Sequence, residues 1–356
     1  MAKVLMKGNE ALSEAAIKAG CTAFFGYPIT PQNEIPEYLS ERMEQEGLVF
    51  VQAESEVAAI NMVYGASAAG ARVMTSSSSP GIALKQEGIS YLAGARLPCF
   101  ICSVTRAGPG LGGILPAQAD YFQAVKGGGN GDYYTPVYAP NSVQEATDLV
   151  FRAFNVADEY RTPVQMIVDG MLGQMMEPVE LNPPPRVKVD KELYATSGNS
   201  DKRKRNIVNS LNLSGLGLEQ MNHERFRDYE KIKEKETLSE YDVPKDAEIV
   251  FCAYGVPSRI AKNAISLLKK EGISAGLIRP ITLWPFPEKD FLKLPKTVKA
   301  VLVTELSMGQ MIEDVRLALN GSIPAYHYGR VGGVVFEPDE IAEEAKRILK
   351  KGGKKK

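Results

Sequence analysis

Two carboxylates flank a serine at a break in local pattern, in Gln52-Ala53-Glu54-Ser55-Glu56-Val57-Ala58-Ala59. The preceding GLVFVQA has strand character, and the residues that follow have helical spacing, so the acids mark a strand-to-helix turn. An acid at a helix start caps free amides or faces the helix dipole, and Glu54 suits that role. Glu56 opens the apolar run VAAI. Burial of a carboxyl in such a run favours its neutral form and lets it donate or share a proton. The following helix is dense in small residues (Ala58, Ala59, Gly65, Ala66, Ala68, Ala69, Gly70), which leave room for another backbone or a flat ring.

Three further stretches each follow a strand-like run: Gly26-Tyr27-Pro28-Ile29-Thr30-Pro31, Thr75-Ser76-Ser77-Ser78-Ser79-Pro80-Gly81 and Thr105-Arg106-Ala107-Gly108-Pro109. Taken singly, each reads as a turn or a helix cap. In a parallel sheet, carboxyl-end loops share one rim, where such proteins bind ligands. In register, the four loops gather a carboxylate, hydroxyls, a guanidinium and glycine-rich backbone.

Other motifs carry less. Gly108-Pro109-Gly110-Leu111-Gly112-Gly113 fits a dinucleotide fingerprint formally, but Ile114-Leu115-Pro116 delays the helix that would hold a pyrophosphate. Pro109 also removes a backbone donor. A glycine-rich active-site loop is the better reading. Cys99 and Cys102 lie inside an apolar strand with no second cysteine pair, which points to buried, inert thiols rather than zinc. His223 and His327 are the only histidines and lie far apart in sequence, so histidine-based nucleophilic catalysis has little support. Gly131-Asp132-Tyr133 reads as a loop without metal. The basic run Lys202-Arg203-Lys204-Arg205 reads as a solvated face.

The elements that must position these groups alternate. TAFFGY, GLVFVQA, ARVMTS, LPCFICSVT, TPVYAP and TPVQMIVDG are strand-like, with helical spacing between them, which predicts βαβ units and a parallel sheet covered on both faces. Gly20 is placed to end the first helix in a left-handed cap, and Ser142 with Glu145 has capping-box spacing. Residues 1–180 form this block. Residues 181–246 are polar and charged, and read as a connector with one solvated helix. Residues 247–350 form a second, smaller α/β block. The chain has 356 residues with 42 basic and 43 acidic side chains, and this near-neutral balance argues against nucleic-acid or membrane-surface binding. No apolar run is long enough to span a bilayer, and the N-terminus lacks a secretory apolar core, so the expectation is a cytoplasmic protein.

In their order, GYPITP, ESEVAAI, TSSSSPG, SVTRAGPG, APNSVQEATDL and YRTPVQMIVDG resemble the 2-oxoacid:ferredoxin oxidoreductases, in the alpha-type subunit with the thiamin-pyrimidine-binding domain. The second block, with RPITLWPFP and Glu305-Leu306-Ser307-Met308-Gly309-Gln310, resembles the transketolase C-terminal-like domain that follows it. The resemblance implies a thiamin-diphosphate-type parallel sheet followed by that smaller α/β domain. It implies that Glu56 hydrogen-bonds N1′ of the cofactor aminopyrimidine, which promotes deprotonation of the thiazolium carbon. Pro28, Ser79, Pro80 and Gly81 would line the cofactor, and Thr30 and Arg106 would bind the 2-oxoacid, Arg106 pairing with its carboxylate. A Gly-Asp-Gly diphosphate motif and a ferredoxin-type cysteine run are absent. Magnesium and iron–sulfur clusters are therefore expected on partners: a diphosphate-binding subunit, a gamma-type subunit and a ferredoxin-like iron–sulfur subunit. The implied reaction is coenzyme-A-dependent oxidative decarboxylation, with electrons passing to ferredoxin. AGPGLGG followed by PAQADYFQ is similar to the branched-chain type acting on 3-methyl-2-oxobutanoate. The 2-oxoglutarate type is the alternative, with Lys85 the one candidate to reach a distal carboxylate. A non-catalytic scaffold subunit with a degenerate site is the other.

Overall fold

A computed structural model describes residues 3–199 and 203–352; Lys202 of the basic run and the final lysines lie outside the described residues. The first block builds a seven-stranded sheet in the order Thr282–Trp284, Val137–Tyr138, Pro163–Asp169, Cys99–Thr105, Val73–Ser77, Ala23–Gly26, Val49–Gln52. Every neighbouring pair is parallel except the outermost, where Thr282–Trp284 runs antiparallel to Val137–Tyr138. The three strands Val73–Ser77, Cys99–Thr105 and Pro163–Asp169 are buried at every position. Coverage on both faces explains why their sequences are continuous apolar or small runs rather than alternating ones.

Side chains leave a strand alternately to its two faces. Phe100, Cys102 and Val104 accordingly join one core, with helices Gly8–Ala19 and Val143–Tyr160, while Cys99 and Ile101 join another, with helices Glu56–Ala68 and Ser79–Gly94. Cys99 and Cys102 thus face opposite sides of the sheet. All four cysteines are free and buried, and burial pushes the thiols of Cys21 and Cys102 up to about 12. The first helix ends at Gly20 with φ 91°, in the left-handed cap that the sequence predicts.

The second sheet has five strands, ordered Ala325–Gly329, Ala300–Glu305, Ile249–Cys252, Ala275–Pro280, Ser239–Asp242, parallel apart from the last. The two blocks exchange edges: Thr282–Trp284 pairs into the first sheet, and Ser239–Asp242, from the stretch read as connector, pairs into the second. A two-stranded antiparallel ribbon, Val4–Lys7 with Met176–Val179, has no counterpart in the sequence reading.

The stretch 181–246 is more embedded than a solvated connector. Its helix, Gly215–Lys235, buries Arg225, Tyr229 and Ile232, and Tyr229 meets Trp284 edge-on with ring centroids 5.4 Å apart. Earlier in the stretch, Tyr194 and Ala195 are buried beside the Ala68–Gly70 turn, and Thr196 donates its amide to the Ala68 carbonyl at 2.8 Å. No described helix is long and apolar enough to cross a membrane.

Polar clamps join the blocks. Arg279 pairs with both carboxylate oxygens of Glu145, at 2.9 and 2.8 Å. Glu145 holds only half of the expected capping box. Ser142 Oγ accepts from the Glu145 amide at 3.1 Å, but the Glu145 carboxylate accepts from the Asn141 amide, not that of Ser142. Gln118 bridges the blocks by donating to the Tyr254 carbonyl and accepting from the Leu306 amide, each at 3.0 Å. Buried Asp169, at the end of its strand, accepts from the Val256 amide at 3.0 Å.

Candidate active site

Strands Cys99–Thr105, Val73–Ser77, Ala23–Gly26 and Val49–Gln52 are adjacent and parallel, so the four loops singled out in the sequence share one rim. The chain crosses from Ala23–Gly26 outward to Val49–Gln52, then back to Val73–Ser77 on its other side. That reversal is a topological switch point, where an open α/β sheet forms a crevice.

Glu56 is the first residue of helix Glu56–Ala68 and is 6% exposed. The cap of that helix is Ser55, whose Oγ accepts from the Ala58 amide at 3.1 Å, rather than Glu54, which is exposed. The second glutamate is thereby left free of capping duty. Its carboxylate makes no hydrogen bond among the described residues and lies against the bare Cα of Gly81. A Cβ built on Gly81 would come within 2.0 Å of Ser77 Oγ and 2.6 Å of Glu56 Oε1. Two helical turns on, a Cβ on Gly88 would meet Ile60 at 2.5 Å. Gly81 and Gly88 thus form the groove into which the Glu56–Ile60 ridge packs, which is what the small residues of this helix pair accomplish.

Arg106 is 6% exposed, and its guanidinium links two loops. Nη1 donates to the Thr30 carbonyl at 2.9 Å, and Nη2 to the Leu111 carbonyl at 3.0 Å. Its Nε is buried without a partner. Ser79 Oγ accepts from the Arg106 amide at 2.9 Å and donates to the Arg106 carbonyl at 3.2 Å, tying the third loop to the fourth. Glu56, Gly81, Ser79, Arg106 and Thr30 therefore form one connected arc. The hydroxyl of Thr30 accepts from Asn33 Nδ2 at 3.4 Å, and Pro28 is exposed on the lip of the crevice.

The glycine-rich loop does not lead into a helix. It folds back instead: the Ala107 amide donates to the Leu115 carbonyl at 3.0 Å, and the Gly113 amide to the Ala107 carbonyl at 2.8 Å. Gly112 has φ 58°, and a Cβ there would lie 1.8 Å from the Ala107 carbonyl oxygen, so the fold-back requires glycine. Beyond this loop lies a cavity of about 660 Å³. Ser79, Pro80, Ala107 and Pro109 line its first-block side, and Leu306, Met308 and Val331 its second-block side.

Some groups at the rim were not found from sequence. Gln32 is fully buried, accepts from Ser76 Oγ at 2.6 Å and donates to the Tyr27 carbonyl at 3.1 Å, which braces the Pro28–Thr30 turn. Asp120 lines the cavity, and burial pushes its carboxyl up to about 6 against the opposing pull of the Ser79 hydroxyl and the Arg106 charge. Lys85, expected as a reach toward a distal substrate carboxylate, points inward and is fully buried. Its ammonium donates to Thr75 Oγ1 at 2.7 Å and to the Ser76 carbonyl at 2.9 Å.

Residues 14–243 match the family described as pyruvate flavodoxin/ferredoxin oxidoreductase, thiamine diphosphate-binding, and residues 247–341 match pyruvate:ferredoxin oxidoreductase core domain II. The ketoisovalerate oxidoreductase subunit VorB of Methanothermobacter thermautotrophicus is 48% identical over 351 residues, covering 98% of each chain. The 2-oxoglutarate synthase subunit KorA of Archaeoglobus fulgidus is 37% identical, covering 95% of this chain and 97% of that one. Among solved structures, the 2-oxoglutarate:ferredoxin oxidoreductase from Magnetococcus marinus superposes with a TM-score of 0.86 at 27% identity. That match covers 98% of this chain and 65% of the Magnetococcus chain. By these matches over nearly its whole length, the chain belongs to the pyruvate flavodoxin/ferredoxin oxidoreductase family.

Proposed function

We propose that this chain supplies the pyrimidine side of a thiamin diphosphate site in a heteromeric 2-oxoacid:ferredoxin oxidoreductase. The observation that carries the reading is Glu56: a carboxylate fixed by packing at the switch-point rim, with no described hydrogen-bond partner of its own. A buried acceptor left open in this way fits an N–H donor on a flat ring, which is what the aminopyrimidine presents. In this reading Pro28, Ser79, Pro80 and Gly81 would line the place such a ring takes. Bound there, the cofactor supplies a nucleophilic carbon and an electron sink for decarboxylating a 2-oxoacid.

The chain's own residues then do three things. Glu56 holds the proton at pyrimidine N1′. Arg106 and the Thr30 hydroxyl orient the 2-oxoacid carboxylate. The Arg106 contacts to Thr30 and Leu111 keep the glycine-rich loop folded back over the crevice. Magnesium, the diphosphate-binding groups and the iron–sulfur clusters belong in this reading to partner subunits: a diphosphate-binding subunit, a gamma-type subunit and a ferredoxin-like subunit that delivers electrons to ferredoxin. Coenzyme A accepts the acyl group.

For substrate, the reading favours branched-chain 2-oxoacids such as 3-methyl-2-oxobutanoate. Arg106 stands outside the lining of the 660 Å³ cavity, and the lining residues include no lysine or arginine, so a second carboxylate extending into it would find no cation there. Lys85 is spent inside the core. The relative named for ketoisovalerate is 48% identical, and that named for 2-oxoglutarate 37%. The test is coenzyme-A-dependent viologen reduction by the assembled complex, purified without oxygen from its own host. A kcat/KM for 3-methyl-2-oxobutanoate at least about tenfold above that for 2-oxoglutarate is expected, the low end of what an apolar pocket discriminates. The reverse preference would overturn the substrate assignment.

A further inference from the structure

Gly81, Lys85 and Gly88 share one face of helix Ser79–Gly94, and the two glycines are the positions against which Glu56 and Ile60 pack. Helix side chains lean toward the N-terminus, so the Lys85 stem runs back beneath the turn that carries Gly81. Its ammonium ends on Thr75 and Ser76. The next residue of that strand, Ser77, has its Oγ within 2.0 Å of the point where a Gly81 Cβ would stand, and Glu56 Oε1 is 2.6 Å from the same point. Ser77 Oγ is buried with no partner of its own. The carboxylate and the ammonium thus occupy two sides of one buried Ser76–Ser77 corner.

The surroundings leave this cation with one nearby anion. Both of its hydrogen-bond acceptors are neutral, and removing an ammonium from water without a contacting anion is costly. Burial lowers the Lys85 pKa to about 7, and Glu56 is the largest opposing influence, followed by the Cys99 thiol. Strand Val73–Ser77 carries no titratable side chain. Cys102 points to the other face of the sheet. Asp169 is occupied by the Val256 and Leu172 amides, and Glu87 accepts from Tyr91 at the surface. Tyr64, on the helix of Glu56, is held neutral by burial.

We propose that Lys85 is a positioning residue for Glu56: its ammonium, one helical turn below Gly81, is the counter-charge that holds the carboxylate where it would receive the cofactor pyrimidine. The proposal rests on the role given to Glu56 above. When Lys85 gives its proton to solvent, the carboxylate loses this counter-charge; only an N–H bond of Lys85 breaks, and the proton goes to water.

The direct test is a pH titration of the full chain labelled at lysine Cε with carbon-13, read by NMR, with Lys85→Met and Lys85→Arg identifying the resonance. The midpoint should lie near pH 7 and should fall by about one unit in Glu56→Gln, because removing a nearby carboxylate favours the neutral amine. A midpoint near lysine's ordinary ~10.4, or one that Glu56→Gln leaves in place, would overturn the pairing. In the assembled complex, Lys85→Met should remove the pH dependence of kcat/KM near pH 7, since the group that titrates there is gone. The KM for the 2-oxoacid should change less than about twofold. An unchanged pH profile with a uniform fall in kcat would reduce Lys85 to packing and overturn the proposal. Failure of the Glu56 reading is distinguishable: Glu56→Gln complex would keep its thiamin diphosphate affinity and turnover while the lysine midpoint still moved.

Discussion

The guanidinium of Arg106 donates to the carbonyl of Thr30 at 2.9 Å, which ties the loop after strand Cys99–Thr105 to the loop after Ala23–Gly26. These two residues are 76 apart in sequence, yet they set one wall of the crevice. Arg106→Ala removes both this tie and the proposed carboxylate partner. We expect KM for the 2-oxoacid to rise roughly 10–100-fold, the scale of a lost hydrogen bond to a charged group. Steady-state kinetics of the assembled complex checks this; a fall in kcat at unchanged KM would assign Arg106 to loop packing instead.

Gly81→Ala tests the seat of Glu56. The added Cβ would fall 2.6 Å from Glu56 Oε1 and 2.0 Å from Ser77 Oγ, so the carboxylate must move. Overpacking of this kind costs about 1–3 kcal/mol of stability. We expect the variant to fold and assemble but to bind thiamin diphosphate at least about tenfold more weakly, because a misplaced acceptor forfeits a charge-assisted hydrogen bond. Calorimetric titration of the cofactor into the complex gives the answer, and unchanged affinity would remove Glu56 from the site.

Asp120 supplies a pH signature. Its folded-state pKa is pushed up to about 6 from 3.8, chiefly by burial. A raised carboxyl favours folding fully below the unfolded value and loses that contribution as pH rises through the folded one. Asp120→Asn should therefore stabilise the chain at pH 7, by on the order of 2 kcal/mol at most after solvent screening, and the gain should vanish below about pH 4. Denaturation curves between pH 3.5 and 8 would show this, and a gain independent of pH would contradict it.

The Arg279–Glu145 pair tests how the two blocks are held. Arg279 is buried, while Glu145 keeps 21% of its side chain exposed. Arg279→Met should destabilise the chain by roughly 3 kcal/mol, the low end for breaking a buried pair. Adding Glu145→Gln should recover part of the loss, because one of the two stranded carboxylates is then gone while Glu240, which accepts from Arg279 Nε at 2.8 Å, remains. A double-mutant cycle with no coupling would show that the clamp contributes nothing.

The rim was legible in the sequence because strand-ending motifs in a βαβ chain must meet at one edge. Glu56, Thr30, Ser79 and Arg106 stand where that rule puts them. Local patterns placed less well whatever depended on tertiary pairing. Thr282–Trp284 looks like part of the second block but completes the first sheet, and Ser239–Asp242 looks like connector but completes the second. Tyr229 reads as one aromatic in a charged helix, and only contact with Trp284 shows that it is buried. Lys85 is the one candidate to reach a distal carboxylate under the 2-oxoglutarate alternative, because a lysine's type argues for solvent; its spacing from Gly81 and Gly88 puts it instead on the packed face of its helix, where it is fully buried. Ser55 took the cap expected of Glu54, a choice between adjacent residues that propensity alone does not resolve.

The central claim is that Glu56 holds the pyrimidine proton. The most direct measurement is turnover of the Glu56→Gln complex, with subunit composition and thiamin diphosphate content determined on the same sample. The account predicts an intact complex whose coenzyme-A-dependent viologen reduction falls at least about 100-fold, the scale of a lost general acid–base group. Near-normal turnover, or loss of assembly in place of loss of chemistry, would contradict it and leave Glu56 an ordinary buried acid.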